Sequence, residues 1–286
     1  MDFFLATDST CDLTTDMLNE MDIRCINLSF FVNDKEYRDQ STLGAKDFYD
    51  QMRNGAKTST SMANESSATD FLTELLSQGK DVLFLAFASV LSGTYNCFVN
   101  AANALNEKFD NKVYVVDSKC ASGGEGLFVT LVNEKRQEGV SAEQAYNYAE
   151  SLREHILHYF VVDDLKYLAR GGRLSRGSAI LGKILNIKPL LHVDEEGRLI
   201  AIKKTMGRRK SLKCLVDKIE ERYNGESKTV YITHGDCYDD AKFVADEIKD
   251  KLGLTPLILS LGYVIGSHSG PGTVALFFTG DTRKED

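Results

Sequence analysis

Residues 82–94 read VLFLAFASVLSGT and contain, in one stretch, an apolar run, a turn and the start of a helical pattern. The apolar run at 82–88 has the length of a buried strand and stops at Ser89. A Ser-Gly-Thr turn follows at 92–94, and helical periodicity begins after it. A strand that ends in hydroxyls and glycine before a helix is typical of an α/β protein.

The alternation of strand and helix continues along the chain. Further apolar runs predict strands at residues 3–7, 113–116, 159–162, 229–233 and 274–279. Apolar stripes at helical spacing predict helices within residues 68–76, 142–152, 212–219 and 241–252. We therefore predict an α/β fold with two domains, a parallel-sheet domain at residues 1–160 and a second α/β domain at residues 161–286.

Composition excludes several classes of protein. The chain has 286 residues, of which 34 are basic and 42 acidic, and its net charge of −8 argues against nucleic acid as the main ligand. No apolar run approaches the length of a membrane span, so we expect no membrane insertion. The six cysteines form no C-x-x-C pair, and no export signal is recognisable. We expect scattered reduced thiols in a cytoplasmic protein.

Hydroxyl-rich segments follow three of the predicted strands, at residues 8–10, 89–94 and 117–118. In an open parallel sheet these segments meet at one edge, where helix N-termini favour an anion. The alternative is that they are ordinary helix caps. No nucleotide phosphate loop is present, because GxxxxGK[ST] is absent and ASGGEG at residues 121–126 is not GxGxxG. We interpret those glycines as allowing close packing of a helix on a strand.

Two catalytic alternatives remain open at this point. A serine hydrolase or acyltransferase could use Ser92 and His268, although the chain lacks G-x-S-x-G. A metal site could be built on Asp8, Asp117 and Asp236, which all follow strands, although the D-x-D of a phosphatase-like loop is absent. Neither pattern is complete.

Three further segments carry candidate functional residues. The motif GSHSGPG at residues 266–272 surrounds His268 with small residues and predicts a loop close to a ligand. Arg170 begins an RGGR turn, whose guanidinium groups suit a carboxylate or phosphate. The segment KKTMGRRK at residues 203–210 holds five basic residues among eight. It predicts either a docking surface for an acidic partner or a solvated face.

A series of motifs in this order resembles the DegV family, the bacterial fatty-acid-binding proteins that act as lipid-carrying subunits of fatty acid kinase. The resemblance covers essentially the whole chain. Its motifs are DSTCDL at residues 8–13, TSMAN at 60–64, LSGTYN at 91–96, VVDSKCASGGEG at 115–126, LARGGRLS at 168–175, LNIKPLLHVDEEGRL at 185–199, GRRKSLK at 207–213, ITHGD at 232–236 and GSHSGPGTVALFF at 266–278.

The resemblance implies a fatty acid held between two α/β domains by a protein that is not itself an enzyme and needs no cofactor or metal. The carboxylate would be held by hydroxyls and presented to a separate kinase. The residues it assigns to the head group are Thr60, Ser61, Ser92, Gly93, His268 and Arg170. The aliphatic run at residues 180–185 is compatible with a channel for the tail.

One motif departs from the family form. Glutamine and proline usually follow its Thr-Ser pair, whereas Met62 and Ala63 stand there in this chain. Thr58 and Ser59 precede the motif and permit an alignment shifted by two residues, so the hydroxyl that binds is left open between Thr58 and Ser61. The surface expected to dock the kinase consists of Lys203, Lys204, Arg208 and Arg209.

Overall fold

The computed structural model describes residues 2–38, 43–174 and 187–285, with residue 187 described by its main chain only. The strands in this part of the chain are β1 Phe3–Asp8, β2 Ile23–Ile26, β3 Ser29–Val32, β4 Lys35–Arg38, β5 Thr58–Ser61, β6 Asp81–Ala86, β7 Val113–Asp117, β8 Ile156–Val161, β9 Ile187–Val193, β10 Leu199–Met206, β11 Tyr231–His234, β12 Leu257–Ser260 and β13 Val274–Thr279. The helices are α1 Thr15–Glu20, α2 Ala45–Arg53, α3 Glu65–Leu76, α4 Thr94–Asn106, α5 Gly123–Gln137, α6 Ala142–Leu152, α7 Lys166–Arg170, α8 Arg208–Arg222, α9 Tyr238–Leu252 and α10 Tyr263–Ser269. Short 3₁₀ turns lie at Ser9–Cys11 and Arg153–His155.

The first half of the chain is built on a parallel sheet with strand order β2-β1-β6-β7. Successive residues of β1 point to opposite faces, so Phe4 packs with α3 and α4 while Leu5 packs with α5 and α6. Helices on both faces explain why every residue of β1 is buried and why the strand reads as a continuous apolar run. The predicted parallel-sheet α/β architecture is confirmed.

The hydroxyl-rich segments meet at the carboxyl edge of this sheet, as predicted. Asp8 at the end of β1 accepts a hydrogen bond from the main-chain N–H of Phe87, 3.3 Å away. Asp117 at the end of β7 accepts one from the N–H of Ser89 at 3.1 Å. The segments that follow β1, β6 and β7 are therefore tied to one another.

The second half contains a mixed sheet with strand order β10-β9-β8-β13-β11-β12, in which only β11 and β12 pair in parallel. Helices α8 and α9 cover one face of it through Leu215, Ile219 and Val244. The predicted boundary between residues 160 and 161 falls inside β8, whose whole length belongs to this sheet.

A third, antiparallel sheet of order β4-β3-β5 was missed by the sequence patterns. Thr58–Ser61, which we expected to resemble the hydroxyl-rich ends of the strands, is itself β5 and pairs with β3. Helix α10 covers this sheet, with the ring of Tyr263 stacked 4.8 Å from that of Phe30. Four-residue strands with mostly polar side chains give no apolar alternation, which is why the pattern did not reveal them.

The four predicted helical stripes lie on α3, α6, α8 and α9, and a helix follows the Ser-Gly-Thr turn as α4. His158 is a correction: it was placed at a helix end but lies buried within β8. In the three described ranges of the chain, no helix has both the length and the apolar character that a membrane crossing requires.

Candidate functional site

A cavity of about 230 Å³ lies between the carboxyl edge of the parallel sheet and one face of the mixed sheet. The mixed sheet contributes residues two apart, such as His158 and Phe160 from β8 and Ala275 and Phe277 from β13, because alternate side chains share a face. Most of the lining is apolar. Other apolar residues in it are Leu28, Phe87, Leu91, Leu168, Val193, Leu199, Leu261, Val264 and Ile265. The run at residues 180–185, expected to line a channel, lies outside the described residues.

Polar residues also line this cavity, and they come from the predicted motifs. Five of the six residues expected at the head group are among them, namely Thr60, Ser61, Ser92, Gly93 and His268. Ser61 and Met62 are exposed, so this part of the lining reaches solvent. The sequence therefore identified segments that are far apart in the chain and close together in the fold.

Arg170 is the predicted residue that the structure places elsewhere. It is exposed, donates from Nη2 to Thr58 Oγ1 at 3.2 Å, and lies over the ring of Tyr167. Arg173, at the other end of the same RGGR turn, lines the cavity and donates from Nε to the carbonyl oxygen of Leu91 at 3.2 Å. The RGGR motif was the correct signal, but it could not tell which arginine turns inward.

The strand period explains how the hydroxyls of β5 are divided. Thr58 and Thr60 lie on its half-buried face, whereas Ser59 and Ser61 are exposed. Thr58 Oγ1 donates to the carbonyl oxygen of Ser267 at 3.0 Å, so its hydrogen is used by α10. Thr60 Oγ1 lies 2.7 Å from His268 Nε2 and lines the cavity.

His268 lies in helix α10, which corrects the predicted loop. Small residues form a helix here because the hydroxyls of Ser267 and Ser269 donate back to the carbonyl oxygens of Tyr263 and Ile265. The helix ends at Gly270, whose φ of +84° continues the chain in a direction that favours glycine. The helix fixes the imidazole against β5 more firmly than a loop would.

The imidazole of His268 is neutral at neutral pH. Burial, followed by the nearby Arg173 and Arg170, lowers its pKa to about 4. A neutral ring has one N–H donor and one acceptor nitrogen. If Nε2 carries the hydrogen, it donates to Thr60 Oγ1 and leaves the single hydroxyl hydrogen of Thr60 available to a ligand.

Ser92 lies in the turn before α4, where its Oγ is 3.0 Å from Thr94 Oγ1. The next residue, Gly93, is covered by a side chain from β5's end: a Cβ atom at this position would lie 2.5 Å from Met62 Sδ. Met62 is 52% exposed and was not singled out as a site residue. Its departure from the family motif was the available signal.

The catalytic pairing of Ser92 with His268 is not formed. In the described ranges no hydrogen bond joins these two side chains, and the partner of the imidazole is Thr60. The charged groups that act on the ring are Arg170 and Arg173, whereas a hydrolase histidine is oriented by a carboxylate. The arrangement suits binding better than nucleophilic attack.

The three aspartates considered for a metal are used separately. Asp8 accepts from Thr10 and Phe87, Asp117 accepts from Ser89, and Asp236 forms an ion pair with Arg53. Among the residues that the structure describes, no group of three His, Cys, Asp or Glu side chains is placed to hold a metal ion. These carboxylates stabilise loops and surface contacts.

Comparison with known proteins agrees with the fold and the cavity. The family model described as "Uncharacterised protein, DegV family" matches residues 3–281. A DegV domain-containing protein of Clostridium perfringens is 39% identical over 287 residues, which cover 99% of either chain. A DegV family protein of Thermus thermophilus, described as fatty acid binding, has a solved structure that is 30% identical, has a TM-score of 0.88 and is matched over 98% of this chain and 100% of its own. DegV of Bacillus subtilis, described as a fatty acid binding protein, is 26% identical with a TM-score of 0.84, matched over 98% of this chain and 100% of its own. The chain belongs to the DegV family.

Proposed function

We propose that the protein binds a long-chain fatty acid, with the tail in the apolar cavity and the carboxylate at Thr60, Ser92 and His268. The observation that carries this proposal is the Thr60–His268 hydrogen bond at the wall of a mostly apolar cavity. Fatty acid binding described for the Thermus thermophilus and Bacillus subtilis proteins supports it. The protein would act in the cytoplasm.

The energetics agree with a lipid ligand. Burial contributes about 0.8 kcal/mol per CH₂, so a dozen methylenes contribute about 10 kcal/mol before association costs of about 4 kcal/mol or more. A hydrogen bond to a charged group adds about 1.5–3 kcal/mol. The tail therefore dominates the affinity, and the hydroxyls orient the carboxylate.

The proposed role is that of a carrier rather than an enzyme. Ser61 and Met62 are exposed beside the head-group residues, so a phosphate donor could reach the carboxylate from solvent. Hydroxyls and a neutral imidazole hold the carboxylate without a full counter-charge, which leaves it reactive toward a separate kinase. The products would be acyl phosphate and the unchanged carrier.

Native mass spectrometry of the purified protein, followed by lipid extraction, tests the proposal. We expect one long-chain fatty acid per chain, which exchanges with added hexadecanoate. The same preparation should show no burst of product release from an acyl ester. A protein that neither contains nor takes up an acid would refute the carrier, and a burst abolished by Ser92→Ala would establish the hydrolase instead.

Gly93→Ala is expected to speed release of hexadecanoate by about threefold or more with little change in stability. The new methyl group displaces the thioether of Met62, which lies on Gly93. Because the Met62 side chain is largely exposed, it moves at low cost, and the free energy of unfolding should change by about 0.5 kcal/mol or less. Stopped-flow displacement and urea unfolding measure the two effects. Met62→Ala should reproduce the faster release; a slower release in Gly93→Ala would contradict the cover assigned to Met62.

We further propose that the kinase docks on the basic surface of Lys203, Lys204, Arg208 and Arg209. Lys203 and Lys204 are exposed at the end of β10. Arg208 forms an ion pair with Asp240 at 2.8 Å, and Arg209 lies over the ring of Phe243. The two lysines therefore project the charge that a partner would meet first, and the arginines shape the surface beside them.

Reversing Lys203 and Lys204 to glutamate is expected to weaken binding of a fatty acid kinase catalytic subunit by about tenfold or more, since long-range attraction speeds association. The bound acid should remain in place. Reversal of Lys108 and Lys228, two exposed lysines elsewhere, changes the net charge equally and serves as the control. Equal losses in both double variants would attribute the effect to net charge alone.

A further inference from the structure

Two buried carboxyl groups lie directly behind the cavity wall. Asp8 ends β1 and Glu125 lies in the first turn of α5, and both are completely inaccessible to solvent. The hydroxyl of Thr10 lies between them, in contact with Asp8 Oδ1 and 2.8 Å from Glu125 Oε2. We propose that Glu125 carries a proton in the folded protein and, through Thr10, positions part of the cavity wall. The effect on ligand binding rests on the proposed function, whereas the proton does not.

The number of available hydrogens requires this proton. The hydroxyls of Thr7 and Thr10 make four contacts with acceptor oxygens: the Leu85 carbonyl, both oxygens of Glu125, and Asp8 Oδ1. Each hydroxyl has one hydrogen, and neither a carbonyl nor an ionised carboxylate can donate. The contacts are satisfied only if at least one carboxyl group supplies a hydrogen.

Glu125 is the better holder of the proton. Asp8 accepts main-chain N–H bonds from Thr10 at 3.1 Å and Phe87 at 3.3 Å, which stabilise its charged form. Glu125 has neither a main-chain donor nor a basic side chain among its partners in the described chain. Burial, and next the charge of Asp8, raise the pKa of Glu125 well above the usual range. A relay follows in which Glu125 Oε2 donates to Thr10 Oγ1 and Thr10 donates to Asp8.

The other titratable groups around this network do not neutralise it. The turn contributes Cys11, whose pKa is raised by its contact with Cys25 and by burial, and Asp12 follows the turn. From the mixed sheet, burial holds His158 on β8 and Tyr231 on β11 in their neutral forms by lowering the pKa of the first and raising that of the second. Ionised Glu125 would therefore face Asp8 without a counter-charge.

The network reaches the cavity through the turn Ser9–Cys11. Thr10 lines the cavity, and Ser9 Oγ accepts from the main-chain N–H of Leu28, a second lining residue, at 3.1 Å. Loss of the Glu125 proton places two negative charges together in a site without water. A buried like-charge pair of this kind is costly, so the turn must open to admit water and the wall changes.

The sign of the pH effect follows from the raised pKa of Glu125. The folded protein binds this proton more tightly than the unfolded chain, so the stabilisation is complete below the usual carboxyl range. It is lost as the pH rises through the raised value. Asp8, whose pKa is also raised by burial, acts in the same direction.

The test compares the unmodified protein with Glu125→Gln, a neutral side chain of the same shape, between about pH 6 and pH 10. Calorimetric titration with hexadecanoate gives the affinity, and urea unfolding without lipid gives the stability at each pH. We expect the affinity of the unmodified protein to fall about tenfold or more toward alkaline pH and that of Glu125→Gln to fall less than about threefold. Glu134→Gln, an exposed change on the same helix, should follow the unmodified protein.

The outcomes separate this inference from the proposed function. If Glu125→Gln keeps the full pH dependence, or loses binding already at neutral pH, the protonated Glu125 is refuted. If no form of the protein binds hexadecanoate while Glu125→Gln still flattens the pH profile of unfolding, the proposed function fails and the proton remains. A flattened profile in both measurements supports the positioning role.

Discussion

Replacing Thr60 with valine is expected to weaken hexadecanoate binding by about 10- to 100-fold at neutral pH. Valine keeps the shape of the side chain and removes the hydroxyl that bonds His268 Nε2 at 2.7 Å. A hydrogen bond to a charged group contributes about 1.5–3 kcal/mol, and each 1.4 kcal/mol corresponds to about tenfold in affinity. The tail contacts are unchanged, so binding remains measurable by titration calorimetry.

Thr58→Val is the matched control for this change. Thr58 lies on the same face of β5, but its hydroxyl donates to the carbonyl oxygen of Ser267 and it is not part of the cavity lining. We expect its affinity to stay within about threefold of the unmodified protein, because only a contact between β5 and α10 is lost. A loss as large as that of Thr60→Val would assign the carboxylate to Thr58.

Coupling with His268 tests how the head group is held. The imidazole acts on the ligand through Thr60, so His268→Ala should cost little more once Thr60 is valine. His268→Gln keeps an N–H donor near Nε2 and should retain more affinity than His268→Ala. Fully additive losses would mean that the imidazole contacts the carboxylate independently.

The long apolar elements of the fold were predictable from sequence, and the polar ones were not. The strand predicted at residues 274–279 coincides with β13, and the helix within 142–152 with α6, because burial on a packed core forces a strict pattern. Strand β5 is held by its pairing with β3 and by α10, contacts with residues distant in sequence. Its four residues, Thr58–Ser61, contain no apolar side chain from which a period could be read.

The site shows the same limit. Motifs identified Thr60, Ser92 and His268, whose hydroxyl and imidazole groups would be unusual in a simple core. The orientation of Arg170 and Arg173 depends on the positive φ of +67° at Gly172 between them, which sequence alone does not fix. The Glu125 proton depends on contacts among three separate segments, so no local pattern announces it.

The glycines of the ASGGEG segment carry the close packing of α5 that the sequence suggested. A Cβ atom at Gly123 would lie 2.8 Å from the Thr233 side chain, and one at Gly126 would lie 2.6 Å from the carbonyl oxygen of Cys11. The tightest position is Gly124, where a Cβ atom would lie 2.0 Å from Nε2 of His158. Helix α5 therefore contacts both the mixed sheet and the turn that follows β1.

Gly124→Ala is accordingly expected to destabilise the protein by about 2–3 kcal/mol. Overpacking costs of this size exceed the gain of about 0.5–1 kcal/mol that alanine usually brings to a helix. His158 cannot move aside easily, because it is buried in β8 and its ring bonds the main chain at Ile156 and Ala121. Urea unfolding measures the change, and Gly44→Ala, where a Cβ atom has an ordinary 3.6 Å contact, should stay within about 0.5 kcal/mol.

A second substitution shows whether the imidazole is the cause. His158→Ala is destabilising alone, because it leaves a cavity and an unpaired N–H of Ala121. It also removes the atoms that an alanine at residue 124 would meet, so Gly124→Ala should cost almost nothing in that background. The coupling free energy between the two sites should then reach about 2 kcal/mol. If Gly124→Ala is equally costly with and without His158, the close approach of α5 to β8 does not determine the stability of this junction.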